Sequence, residues 1–214
     1  MQIDVISDTV CPWCYIGKRR LGRALAARPE LDVSVRWRPY QLDPTIPPGG
    51  VDRKEYLLAK FGPGERPKAM AAAIKEAGSE EGIDFAFDKI MKSPNTLNSH
   101  RLIRWAASAG VQDRVVDALF RRYFTQGEDI GDIEVLIDVA RECWMDTDLV
   151  RELMTGDADA DLVRREDNLA RRIGVEGVPA YIIADKYLLL GAQDPEVILR
   201  AIDKALEKVA EDGA

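Results

Sequence analysis

Two cysteines separated by two residues, Cys11-Pro12-Trp13-Cys14, stand where an apolar run, Ile3 to Ile6, gives way to a helical pattern. That placement puts a thiol pair between a buried strand and the first turn of a helix, so the chain must begin with a β-α unit. Cys11 reads as the helix N-cap. Pro12 reads as the first helical residue, where a missing N–H is not needed. Thiols at this spacing can close into a disulfide within one helical turn, which suits electron exchange better than structural bracing. Exchange requires a thiolate that attacks and a second thiol that resolves the mixed disulfide. The unpaired N–H groups and partial positive charge of a helix N-terminus stabilise a thiolate at Cys11. Cys14 shares a face with Leu21 and Leu25, so the spacing predicts Cys14 toward the core and Cys11 exposed at the tip. Trp13, between the thiols, is expected to be half exposed and to offer an apolar platform to a substrate. The competing reading is half of a zinc site completed by Cys143 and His100. It needs four ligands from three distant segments, and no metal is expected.

The rest of the chain places this unit. Leu31 to Tyr40 alternates, with Val33, Val35 and Trp37 on one side, as a second strand would. Asp43 to Gly50 holds three prolines and two glycines and reads as loop. Helical stripes follow for more than a hundred residues: one opened by Asp52 with Glu55, then Met70–Ala77, Leu102–Ala109, Val115–Tyr123 and Ile133–Trp144. Shorter helices are expected over 149–154 and 160–173, the last closed by Gly174. Strand signals return at 179–184 and 187–190, joined by Asp185-Lys186 as a tight hairpin, and a helix closes the chain from Pro195 to Val209. The order is β-α-β, a helical block, then β-β-α. This is an α/β thioredoxin-like fold with a large all-helical insertion, residues 1–45 and 174–214 forming the thioredoxin-like domain and 46–173 the helical subdomain.

Composition narrows the function. Thirty basic against 37 acidic side chains give a net charge of −7, which argues against nonspecific nucleic-acid binding. No apolar run is long enough to span a bilayer, and Met1 leads directly into the first strand, so a cytoplasmic protein is expected. Three cysteines cannot make a disulfide framework. Cys143, beside Trp144 on an apolar helix, reads as a buried small hydrophobe. Trp37, Trp105 and Trp144 read as core. The paired arginines at 19–20, 121–122, 164–165 and 171–172 read as solvated faces. Asp8 reads as a turn aspartate with a solvated carboxylate, the alternative being a proton relay to Cys14. Gly177-Val178-Pro179, just before the third strand, offers a candidate cis peptide bond. Val178 would then present unpaired backbone groups to an extended substrate.

These segments together resemble the DsbA family of the thioredoxin superfamily, most closely the FrnE-like dithiol oxidoreductases. The anchors are Ser7 to Lys18 around the thiols, Trp37-Arg38-Pro39-Tyr40-Gln41-Leu42-Asp43-Pro44, Asn95-Thr96 with His100-Arg101, Gly174 to Pro179, and Gly191-Ala192-Gln193. The resemblance implies a thiol–disulfide oxidoreductase or isomerase with Cys11 as nucleophile, Cys14 as resolving thiol and Pro179 as the cis-proline. Its substrate contacts would come from Pro12, Trp13, Val178, Asn95, His100 and Gln193. It also places His100 on a helix facing the Cys pair, while Asn95 by itself reads as a helix cap sooner than as a substrate contact. Its partners would be protein or small-molecule thiols and disulfides. The same branch holds 2-hydroxychromene-2-carboxylate isomerases and kappa-class glutathione transferases, similar in length and insertion. They use a serine where Cys11 stands and hold glutathione. That leaves a glutathione-dependent isomerase or transferase acting on an aromatic or polyketide-like molecule as the alternative. No resident cofactor is implied, although glutathione could serve as reductant or ligand, with Val178 pairing its cysteinyl backbone and Gln193 near its γ-glutamyl end. Neither membrane nor nucleic-acid partners are expected, and the sequence leaves the oligomeric state open.

Overall fold

A computed structural model describes residues 1–212. A four-stranded sheet lies at its centre in the order β2-β1-β5-β6, built from β1 (Gln2–Ser7), β2 (Ser34–Pro39), β5 (Ala180–Ile183) and β6 (Tyr187–Leu190). β1 and β2 run parallel, joined by helix α1 (Pro12–Ala26), while β5 lies antiparallel to both β1 and β6. Alternation along the strands separates two faces. Ile3 and Val5 of β1, with Tyr181 and Ile183 of β5, join the main core, against which α1 and the closing helix α9 (Pro195–Asp212) pack. Ile6 and Ala180 face the other way, into a smaller cluster with Tyr40, Ala170 and Val175.

Between β2 and β5 the main elements are helices, as expected. The segments are α2 (Arg53–Phe61), α3 (Glu65–Glu80), α4 (Leu97–Ser108), α5 (Gln112–Arg121), α6 (Ile133–Glu142), α7 (Thr147–Thr155) and α8 (Ala160–Arg172). Asp52, Asp132 and Asp146 cap α2, α6 and α7 by accepting main-chain N–H groups, so three starts are fixed by local chemistry. α5 runs on into a π-helical turn, Arg122–Gln126, that ends at left-handed Gly127. Tyr15 of α1 stacks on Phe120 at 5.1 Å and meets Phe85 edge-on at 6.2 Å. One aromatic cluster therefore joins the thiol-bearing helix to the insertion. A further pair of two-residue strands, β3 (Val51–Asp52) and β4 (Lys92–Ser93), carries no periodic signal in the sequence.

Three expectations need correction. Trp144 is not a core residue but 83% exposed. α6 ends at Glu142, Cys143 caps it, and Trp144 takes a left-handed φ of 64°, which breaks the helical phase. The indole instead covers the Arg114 guanidinium at 3.9 Å. The β5–β6 turn is centred one residue earlier than Asp185-Lys186, with Ala184 and Asp185 holding the positive φ angles. Nor are the arginine pairs uniformly solvated. Arg20 binds Glu81 and the Ala192 carbonyl, and Arg171 lies over the Tyr40 ring and binds Asp167.

Candidate active site

β1 delivers the chain to the site. After Ser7 it turns so that the Cys11 N–H donates to the Asp8 carbonyl at 3.1 Å, and α1 begins at Pro12 with no side-chain cap and no acidic residue in its first turn. The positive end of the helix is therefore left to the Cys11 sulfur. Cys14, one turn in, is fully buried. Both thiols are free, and Cys11, Ser7 and Asp8 are the polar neighbours of the Cys14 thiol. Burial, and then the Cys11 sulfur, push the Cys14 thiol well above its ordinary range. Its proton is held more tightly than that of an ordinary thiol.

The expectation that Cys11 stands exposed is corrected: it is only 5% exposed. The turn before β5 closes over it, and its thiol donates to the Val178 carbonyl at 3.5 Å. The Val178–Pro179 bond is cis. Apart from that thiol contact, Val178 has no hydrogen bond to its backbone among the described residues. Pro12 and Trp13 are half-buried beside the thiols, and Trp13 packs against the core edge. Gly191 donates to the Pro179 carbonyl at 2.8 Å, which places the 191–193 turn next to the cis-proline. The Gln193 amide itself is engaged locally, donating to the Leu190 carbonyl.

Asp8 is also corrected: it is wholly buried, not solvated. Its carboxylate accepts the Leu42 N–H at 2.7 Å and lies 3.2 Å from Nε2 of His100, which is itself buried on α4. Two further contacts brace this loop, Thr9 to the Ser99 hydroxyl at 2.8 Å and His100 to the Tyr40 carbonyl at 3.2 Å. His100 thus stands behind the thiol loop, bonded to the residue whose carbonyl accepts the Cys11 N–H. Asn95 is used within the protein. Its Oδ1 accepts the Leu97 N–H at α4's entry and one Gln41 amide proton, and its amide donates to the Ile46 carbonyl. Sequence reasoning missed Ser7 and Gln41 as parts of this shell, because polar residues at strand ends carry no pattern.

Several buried acids here release protons only at high pH. Burial raises Cys14, Cys143, Tyr181 and Tyr56, and raises Tyr123 to about 12. A group that holds its proton more tightly when folded contributes fully below its unfolded pKa and loses that contribution as pH rises. Under reducing conditions the urea midpoint should stay level between pH 6 and 8 and fall above about pH 9. Tyr123 alone should account for about 1 kcal/mol by pH 11. A midpoint unchanged at pH 11 would contradict the burial of these groups.

A parallel β-α-β unit extended by an antiparallel hairpin and a helix, with paired thiols at the first helix tip beside a cis-proline, defines a thioredoxin-fold protein. The chain belongs to the family described as the DSBA-like thioredoxin domain, whose profile matches residues 2–203. Among solved structures it is similar to a probable DsbA oxidoreductase, SCO1869, from Streptomyces coelicolor. That match has 31% identity and a TM-score of 0.89 over 97% of this chain and 90% of the other. A 2-hydroxychromene-2-carboxylate isomerase shares the fold, with 16% identity and a TM-score of 0.70 over the full length of both chains. So does the cytosolic disulfide reductase DsbM from Pseudomonas aeruginosa, solved with GSH, with 16% identity and a TM-score of 0.65 over 99% of this chain and 98% of that one.

Proposed function

We propose that this chain is a thiol–disulfide oxidoreductase working as a reductase or isomerase in the cytoplasm, with Cys11 as nucleophile and Cys14 as resolving thiol. The observation that carries the reading is the asymmetry of the pair. One sulfur sits at a helix N-terminus under a cis-proline turn, and the other is sealed one turn deeper and keeps its proton. A substrate disulfide docks as an extended segment along Val178, against Pro12, Trp13 and Pro179. The Cys11 thiolate attacks one substrate sulfur, the substrate S–S bond breaks, and the departing thiolate takes up a proton. Cys14 then attacks the Cys11 sulfur, and the second substrate thiolate leaves. The substrate disulfide gains two electrons and the pair ends as a disulfide.

A small thiol must return those electrons. Glutathione fits that role, since a neighbour of the same fold, DsbM, was solved with GSH. The glutathione-dependent isomerase or transferase of small aromatic molecules is the less favoured reading, because both positions of the pair are cysteine and the inner thiol has no part in a serine-type site. No helix among the described residues is long and apolar enough to cross a membrane. The test is an equilibrium titration of the purified protein in glutathione buffers of stepped GSH to GSSG ratio, quenched by thiol alkylation. The pair should convert between dithiol and disulfide in one two-electron transition. A pair that stays reduced at every ratio would remove the proposal.

A further inference from the structure

One more buried polar group lies on the α1 side near the redox pair, and nothing among the described residues engages it. Tyr181, two residues past Pro179, pairs with Val5 in the sheet and turns its ring to the α1 side. It is 1% exposed, and its buried hydroxyl has no hydrogen-bond partner among the described residues. Buried tyrosine hydroxyls as a rule find one, and an unpaired one destabilises the fold. α1 makes room for it at Gly17. A Cβ there would stand 2.4 Å from the Tyr181 hydroxyl and 2.9 Å from Pro179 Cγ. Gly17 lies three residues past Cys14 on the same buried face, so the phenol fills the slot one turn below the inner sulfur.

We infer that the Tyr181 hydroxyl is held for the Cys14 thiolate, and donates a hydrogen bond to it while Cys11 is tied up in the mixed disulfide. This rests on the exchange reaction proposed above and names the group that makes its second step run. In the reduced protein Cys14 is a buried thiol whose polar neighbours are Cys11, Ser7 and Asp8. Once Cys11 is bonded to substrate, Cys14 must lose its proton inside the core, where an unsupported anion is strongly disfavoured. Burial, and then the nearby Cys14 sulfur, raise the phenol's own titration, so it remains a donor throughout. The step balances without it. Cys14 attacks Cys11, the Cys11–substrate S–S bond breaks, the Cys14 proton ends on the departing thiolate, and Tyr181 starts and finishes protonated. The other groups around Cys14 are Cys11, Ser7 and Asp8 with His100 behind it. Arg20 lies beyond the phenol, bound to Glu81 and the Ala192 carbonyl.

Tyr181→Phe removes one oxygen and keeps the ring. Reduced protein is mixed with a nitroaryl disulfide at pH 6 to 9. The first coloured thiolate released reports attack by Cys11, and the second reports resolution by Cys14. With Tyr181→Phe the first release should keep its rate, while the second slows about tenfold to a hundredfold. The pH profile of the second release should move up by about one to two units, with no loss of stability in urea. A second release with unchanged rate and pH profile would overturn the role of Tyr181, as would equal slowing of both phases. A wild-type chain that never gives the second release would instead overturn the exchange reaction itself.

Discussion

Cys11→Ser is expected to bring disulfide reduction down to the uncatalysed background, a loss of at least about three orders of magnitude, as removal of a catalytic nucleophile typically gives. A serine hydroxyl at the same helix tip is not ionised near neutrality and forms no sulfur–sulfur bond, so neither the attack nor the mixed disulfide survives. Cys14→Ser should behave differently. It leaves the outer sulfur under Val178 untouched and removes only the group that resolves. Attack should proceed at close to the normal rate, and the protein should accumulate as a mixed disulfide with substrate or glutathione. Insulin reduction assays and non-reducing electrophoresis read the two outcomes. Normal turnover in Cys11→Ser would contradict the assignment, as would an absence of trapped adduct in Cys14→Ser.

The largest expected effect on stability lies behind the site, at Arg101. This guanidinium is buried on α4, next to His100, and has no carboxylate within ion-pair distance among the described residues. It donates instead to the carbonyls of Leu153 and Gly156 at 2.6 Å and of Ala158 at 2.7 Å, to Asn98 at 2.8 Å, and lies against the Trp105 ring. Three carbonyls at the end of α7 and the turn into α8 therefore take their hydrogens from one side chain. Arg101→Leu fits the volume but leaves all three without a donor. The expected loss is about 3–5 kcal/mol, from about 1–3 kcal/mol for each buried group left unpaired. That is a large part of the usual stability of a single domain. The urea midpoint should drop sharply, and Arg101→Lys should recover only part of it, since an ammonium cannot span the same fork. A change below about 1 kcal/mol for Arg101→Leu would contradict the reading of Arg101 as the clasp of α7 and α8.

What was legible in the sequence was local. The strand–thiol–helix junction at Ile3 to Ala26 is readable because a short apolar run gives way to period 3.6 within a few residues, and the helical stripes of the insertion are long enough to repeat. The α/β fold with its helical insertion followed from that. What failed was what distant segments decide. Asp8 looks like a solvated turn residue because its surroundings come from Leu42 and His100, 34 and 92 residues away. Cys11 looks exposed because the turn that covers it, at Val178, is 167 residues off. Trp144 looks like core only when the helical phase is extended one turn past Glu142, where its left-handed φ breaks that phase. The strands β3 and β4 are too short to show a period at all. Tyr181 sat inside an apolar run, where its ring explains its presence and its hydroxyl goes unnoticed. The available hint was Gly17, a residue without a side chain on the core-facing side of α1, one turn below a thiol.

The most direct measurement is peptide mapping after one turnover. Fully reduced protein would be mixed with one equivalent of a disulfide substrate, quenched with acid, alkylated, digested and analysed by mass spectrometry. A Cys11–Cys14 bridge should form in step with substrate reduction, with Cys143 recovered as an alkylated free thiol. Reduced substrate with no such bridge, or a bridge that includes Cys143, would contradict the account.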